Sequence, residues 1–137
     1  MWGRESKQIR LEVCLGARIN QIQPLINART QKGCLVNTDQ SGAYNRVSSN
    51  QRKHKTVNHG IGEFARDEDG DGFYEVHCNS CEGLWTGVRN FLRKFRGVSK
   101  KYLAQYIAIF ENNFNRKNQV HNLCRAMLIP DFYLENY

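Results

Sequence analysis

From Ile9 to Leu15 apolar and polar residues alternate, with Ile9, Leu11, Val13 and Leu15 on one side and Arg10, Glu12 and Cys14 on the other. A period of two is that of a half-buried strand, because successive side chains of an extended backbone point to opposite faces. After Gly16 the period changes. Ile19, Ile22, Leu25 and Ile26 recur at helical spacing, with Asn20 placed to cap the N-terminus and Pro24 tolerable only in a first turn, where its missing N–H costs nothing. Gly33 ends that helix, and Cys34, Leu35 and Val36 form a short apolar run of the buried-strand kind leading into Asn37, Thr38 and Asp39. An acid thus stands at the C-terminal end of a strand. Residues 45 to 53 are polar and read as a loop, His54 to His59 as another short strand around Val57, and residues 60 to 76 as an irregular, acidic, Gly-rich insertion.

The second half is helical. Cys81, Leu84, Trp85, Val88, Leu92 and Phe95 make one stripe between Asn79 and Phe95. Ser99 is an N-cap for a further helix with Leu103, Tyr106, Ile107, Phe110 and Phe114 on its buried side. In the tail, residues 118 to 137, the stretch Leu123 to Ile129 reads as a last short helix stopped by Pro130. The pattern as a whole is α/β.

Charge sharpens this picture. The 137 residues carry 20 Lys and Arg against 13 Asp and Glu, a formal net charge of +7 that favours a polyanionic partner. The charge is segregated. Six acids (Glu63, Asp67, Glu68, Asp69, Asp71, Glu75) fall between residues 63 and 75, and eight bases (Arg89, Arg93, Lys94, Arg96, Lys100, Lys101, Arg116, Lys117) between residues 86 and 117. A basic run is either a solvated helix face or a nucleic-acid footprint, and composition does not choose between them. No apolar run reaches the roughly 18 residues needed to span a bilayer, and the opening MWGRESKQIR is charged where a signal peptide has an apolar core, so the expectation is a cytoplasmic protein without membrane contact. An odd count of five Cys without an export signal argues for reduced thiols.

Several constellations bear on chemistry. At 100° per residue, Arg89 and Arg93 lie within about 20° of Glu82 on a face away from the apolar stripe, with Asn79 about 60° off. That face is either an ordinary solvated one or a metal-binding acid followed by phosphate-holding guanidiniums. Asp39 is either a cap for the SGAY segment or a metal ligand at the edge of a sheet. Two carboxylates from separate elements suit Mg²⁺, which takes hard oxygen ligands and keeps exchangeable waters. The string DEDGDG matches a calcium loop at Asp67, Asp69, Asp71 and Gly72, but Cys78 stands where the bidentate Glu belongs, which favours a solvated acidic loop. Cys78 and Cys81 form a CxxC that His121 and Cys124 could complete as a zinc set; the second pair has the wrong spacing type, and Cys81 lies on the apolar stripe.

Taken together, VNH (Val57 to His59), Glu63-Phe64, the His-x-Asn-x-x-Glu-Gly-x-Trp pattern of His77, Asn79, Glu82, Gly83 and Trp85, GVSKKYL (Gly97 to Leu103) and FNRK (Phe114 to Lys117) resemble the ISXO2-like insertion-sequence transposases of the DDE class. Upstream, QPLI followed by LVNTDQSGAY is similar to the family segment that ends in Thr-Asp with an aromatic shortly after. The resemblance covers roughly residues 2 to 128. It implies an RNase H-like mixed sheet with flanking helices over residues 2 to 117, in which acidic residues hold two Mg²⁺ or Mn²⁺ ions for phosphoryl transfer on DNA. Asp39 matches the second acid and Glu82 the third, with Asn79 its rival; Arg89 takes the place of a basic residue seven positions after the Glu.

The resemblance also implies a departure. The family's first catalytic Asp lies on the first, central strand, and no Asp precedes Asp39 here. Glu12 is more simply a solvent-facing alternate than a substitute. The expectation is therefore an N-terminally truncated, catalytically silent transposase lacking that central strand. Arg89, Arg93, Arg96, Lys100 and Lys101 are expected to hold DNA backbone, and the partners implied are element ends, target DNA, a second copy or a full-length transposase, with nucleoid association in a bacterial host. The alternative is a non-catalytic DNA-binding remnant or regulator.

Overall fold

The computed structural model describes the backbone of residues 1 to 128 and the side chains of residues 1 to 117, 119 and 120. The chain is mixed α/β: α1 (Ile19–Arg29), β1 (Leu35–Asp39), β2 (Lys53–Val57), β3 (Ala65–Arg66), β4 (Val76–His77), α2 (Asn79–Arg93) and α3 (Leu103–Leu128), with 3₁₀ turns at Gly42–Tyr44, Ser48–Asn50 and His59–Ile61. It divides into two compact units, Cys14–Gly87 and Met1–Val13 together with the chain from Val88 on. The described residues form two separate two-stranded sheets, β1-β2 and β3-β4.

In the Cys14–Gly87 unit, β1 and β2 pair in parallel, with Leu35 opposite Lys53 and Asp39 opposite Val57. Val36, Thr38, His54 and Thr56 therefore share one face, and Asn37, Asp39, Lys55 and Val57 the other. On the first face the buried Thr38 sets its hydroxyl 2.8 Å from His54 Nε2, and burial holds the His54 imidazole below its ordinary pKa. On the second, Val57 is fully buried, as is Val76 of β4. β3 and β4 pair antiparallel and close the acidic loop between Arg66 and Val76, and Lys55 reaches across to Glu68 in an ion pair.

α1 starts where Gln21 and Ile22 donate to Arg18 O, so Arg18 is its N-cap and Asn20 lies inside the helix. Pro24 also lies inside, beyond the first turn, where it removes one helical hydrogen bond. Both placements correct the reading from spacing, and the end differs too: the helix closes at Thr30, whose N–H and hydroxyl both donate to Ile26 O, three residues before Gly33. What finishes the helix is a side chain from far along the sequence. Arg52, only 7% exposed, donates through Nε to Thr30 Oγ1 at 2.6 Å and through its terminal nitrogens to the carbonyls of Thr30 at 2.7 Å, Asn50 at 2.8 Å and Asn27 at 3.1 Å. A guanidinium thus satisfies the orphan carbonyls of a helix C-terminus, where the helix dipole also favours a cation.

Ile9 to Leu15, most of which belongs to the other unit, is not a strand. Its only β pairing among the described residues is a single bridge, Trp2 to Ile9. Side chains of α3 take the backbone groups a neighbouring strand would have used: Ile9 N donates to Asn115 Oδ1 at 2.8 Å, Asn115 Nδ2 donates to Ile9 O at 3.1 Å, and Leu11 N donates to Glu111 Oε2 at 2.7 Å. Arg10 adds an ion pair to Glu111 at 2.6 Å. α3 buries Ile107 and half-buries Leu103, Tyr106, Phe110 and Phe114, the side its spacing marks. Aromatic rings run through this core, Phe95 against Tyr106 at 4.6 Å, Phe91 against Phe110 at 5.5 Å and Trp2 against Phe114 at 5.8 Å.

Along α2 the stripe is narrower than its sequence suggests. Leu84 and Val88 are buried, but Trp85 is 54% exposed and Phe95, just past the helix, 42%. Trp85 stands 100° round the helix from Leu84, at the solvent edge. Ser99 opens a turn that precedes α3, accepting from Lys101 N at 3.4 Å, and the helix proper begins at Leu103. Residues Leu123 to Leu128 continue α3 and do not form a helix of their own; Ile129 and Pro130 lie outside the described residues.

Candidate functional site

β1 ends on Asp39, whose Oδ1 accepts from Ser41 N at 3.0 Å and so bends the chain into the 3₁₀ turn Gly42–Tyr44. Tyr44 closes that turn. Its phenol is pushed above its ordinary value, first by burial and then by the neighbouring Asp39 carboxylate and the Cys81 and Cys78 thiols. β1 lies against β4, and β4 leads directly into α2, whose first turn carries Asn79 and Glu82. α2 begins where Cys81 and Glu82 donate to Cys78 O at 2.9 and 3.3 Å. Asn79 is its first residue and Glu82 lies in its first turn, where the positive end of the helix dipole favours a carboxylate.

Glu82 is exposed, and its Oε1 lies 3.5 Å from His59 Nδ1. The turn that carries His59 is tightly held. Asn58 N donates to Glu63 Oε2 at 2.8 Å, Asn58 Oδ1 accepts from Gly60 N at 2.9 Å, and Glu63 N returns to Asn58 O at 3.0 Å. Gly62 closes it at φ +79°, the left-handed region in which a side chain is strained. Arg66 then pins the free oxygen of Glu63 at 2.8 Å.

These bonds give the turn a pH dependence. The Asn58 N–H and then the Arg66 guanidinium hold the Glu63 carboxyl below its ordinary value of 4.5. A depressed folded pKa contributes stability above the unfolded value and loses it as pH falls through the folded one. Protection of the Asn58 amide, its exchange rate relative to a free amide at the same pH, is thus expected to hold from neutrality down to about pH 4.5 and to fall below it. Glu63→Ala should be weakly protected throughout; an amide whose protection is indifferent to both acid and substitution would refute the assignment.

Among the described residues, the acidic groups that lie close enough for a shared cation are Asp67, Asp69 and Asp71, within 4.8 Å of one another. Their oxygens accept from the loop's own amides, Asp67 from Gly70 and Gly72 at 2.7 and 2.8 Å and Asp71 from Phe73 at 2.7 Å. Asp39 and Glu82 do not join a group of three. Of the zinc set, the side chains of His121 and Cys124 lie outside the described residues. Arg89, Arg93, Arg96, Lys100 and Lys101 are all exposed; Arg93 bonds Asn90 at 3.2 Å, and Lys101 Nζ sits 5.5 Å over the Tyr102 ring. No described helix is long and apolar enough to cross a membrane.

The family model of the ISXO2-like transposase domain matches residues 1–115. The chain belongs to that family. It is 33% identical over 93 residues to an uncharacterized protein in the transposable element ISH50 of Halobacterium salinarum; the match covers 67% of this chain and 29% of that relative. No solved structure matches the chain. All the candidate residues of this transposase domain, Asp39, Asn79, Glu82 and the five basic ones, fall inside the matched span. Spacing did not single out His59, Tyr44 or Arg52, because each acts through a partner distant in sequence.

Proposed function

We propose that this chain serves DNA transposition as part of a DDE-type, RNase H-like domain, with Asp39 and Glu82 as two of its metal-holding carboxylates and Asn79 as an auxiliary or rival to Glu82. The packing of β1, which ends on Asp39, against β4, which leads straight into the first turn of α2, carries this reading. The donor set fits Mg²⁺ or Mn²⁺: two exposed carboxylates offer hard oxygens, and Asn37 Oδ1, on the Asp39 face of β1, is buried without a partner among the described residues. Such an acceptor suits the hydrogen of an ion-bound water. Bound there, divalent ions would supply activation of the attacking oxygen and stabilisation of the leaving one in phosphodiester chemistry.

The chain's own residues do the rest. Asp39 and Glu82 would hold the ions, and Arg89, Arg93, Arg96, Lys100 and Lys101 would neutralise phosphates and hold the DNA backbone. The 137-residue polypeptide is expected to bind duplex DNA through these bases. Duplex binding should weaken steeply with salt, and Arg89→Ala with Arg93→Ala should flatten the slope of log K against log salt by about 1.8, two phosphate contacts at about 0.9 each. An unchanged slope would remove these arginines from the footprint.

A further inference from the structure

We infer that His59 is a positioning residue for Glu82, holding one carboxylate oxygen so that the other is presented to a divalent cation; this rests on the reading of Glu82 as a metal ligand. Three observations converge. Glu82 is exposed and sits on a helical first turn, where a free glutamate side chain samples many rotamers, yet His59 Nδ1 stands 3.5 Å from its Oε1. His59 is itself fixed from two sides: the Asn58–Glu63 turn holds its backbone, and the Phe64 ring lies 5.1 Å from its own at a 35° tilt. Its other nitrogen, Nε2, is buried and has no hydrogen-bond partner among the described residues, so the polar contact of the ring is the one to Glu82.

The chemistry follows from that geometry. At 3.5 Å the approach is a charge-range contact rather than a formed hydrogen bond; with its proton on Nδ1 the imidazole would face Oε1 with a donor and leave Oε2 free to take a cation in monodentate fashion. A carboxylate ligand steadied in this way is pre-oriented, which is the general role of partners one shell behind a metal, and their loss typically costs 10- to 100-fold in metal affinity.

Side-chain amides separate the two nitrogens. In Asn the amide nitrogen falls near the place of His Nδ1; in Gln it falls near Nε2. Mn²⁺ titrated into the 137-residue chain, followed by paramagnetic broadening of the amide signals of residues 79 to 83, reads this site apart from the acidic loop, whose signals at residues 67 to 72 report any binding there. His59→Ala is expected to raise the apparent Kd at residues 79 to 83 by about 10- to 100-fold, His59→Asn to recover most of that affinity, and His59→Gln to recover little. Glu82→Gln should abolish the broadening at residues 79 to 83. If Glu82→Gln binds Mn²⁺ like the parent, the metal reading of Glu82 fails and the role of His59 fails with it. If Glu82→Gln loses binding while His59→Ala keeps it, the metal reading stands and the positioning role is overturned. His59→Asn no better than His59→Ala would also overturn it, since a merely structural histidine predicts no preference for the Nδ1 position.

Discussion

Glu82→Gln is expected to lower Mg²⁺-dependent strand cleavage by about three orders of magnitude when these residues replace the matching segment of an active family member. The substitution keeps the shape of the side chain and removes its charge, so on the proposed reading it takes away a metal ligand and leaves the packing of α2 alone. Metal-borne stabilisation of a phosphoryl transition state amounts to several kcal/mol, and each 1.36 kcal/mol is a factor of ten in rate. Asp39→Asn should act in the same direction. DNA affinity should be unchanged in both, because Arg89, Arg93 and the other bases proposed to hold phosphates are separate groups. Asn79→Ala settles the rivalry within the first turn of α2: cleavage retained by Glu82→Gln and lost in Asn79→Ala would make the amide, not the carboxylate, the third ligand.

The largest effect on stability is expected at Arg52. Arg52→Ala would leave the carbonyls of Asn27 and Thr30 without a donor at a part-buried helix end, and the four hydrogen bonds it removes all come from a charged group. Charge-assisted bonds contribute about 1.5 to 3 kcal/mol each, and stranding a buried polar group costs about 1 to 3 kcal/mol. Because these losses overlap, a net cost of about 3 to 5 kcal/mol is expected, a large part of the roughly 5 to 15 kcal/mol of a whole domain. Arg52→Lys should recover less than half, since an ammonium cannot reach acceptors set for a planar fork. Urea unfolding followed by circular dichroism measures both; a parent-like midpoint for Arg52→Ala would show that water replaces the guanidinium without loss.

Periodicity alone determined the elements whose burial is local. α2 and α3 follow from side chains recurring at 3.6 residues, and the buried side of α3, from Leu103 to Phe114, is the side that spacing marks. β1 follows from the short apolar run Cys34 to Val36 and β2 from the stretch around Val57, so Asp39 was visible as an acid at the end of a strand and Glu82 as an acid at the start of a helix. Family membership too was legible from motifs spread along residues 57 to 117. Tertiary structure decided the rest, because the deciding partners are far apart in the chain. Ile9 to Leu15 has the alternation of a strand, but Asn115 and Glu111 occupy its backbone groups, and pattern carries no information about a competitor a hundred residues away. Arg52 reads as one polar residue in a loop until α1 sets its last carbonyls around it. His59 reads as the end of a short strand until the chain turns there and α2 brings Glu82 within 3.5 Å. Local sequence fixes dihedral preference and which face is apolar; which buried polar group meets which donor is decided only when the chain closes on itself, since an unpaired one costs as much as a lost hydrogen bond.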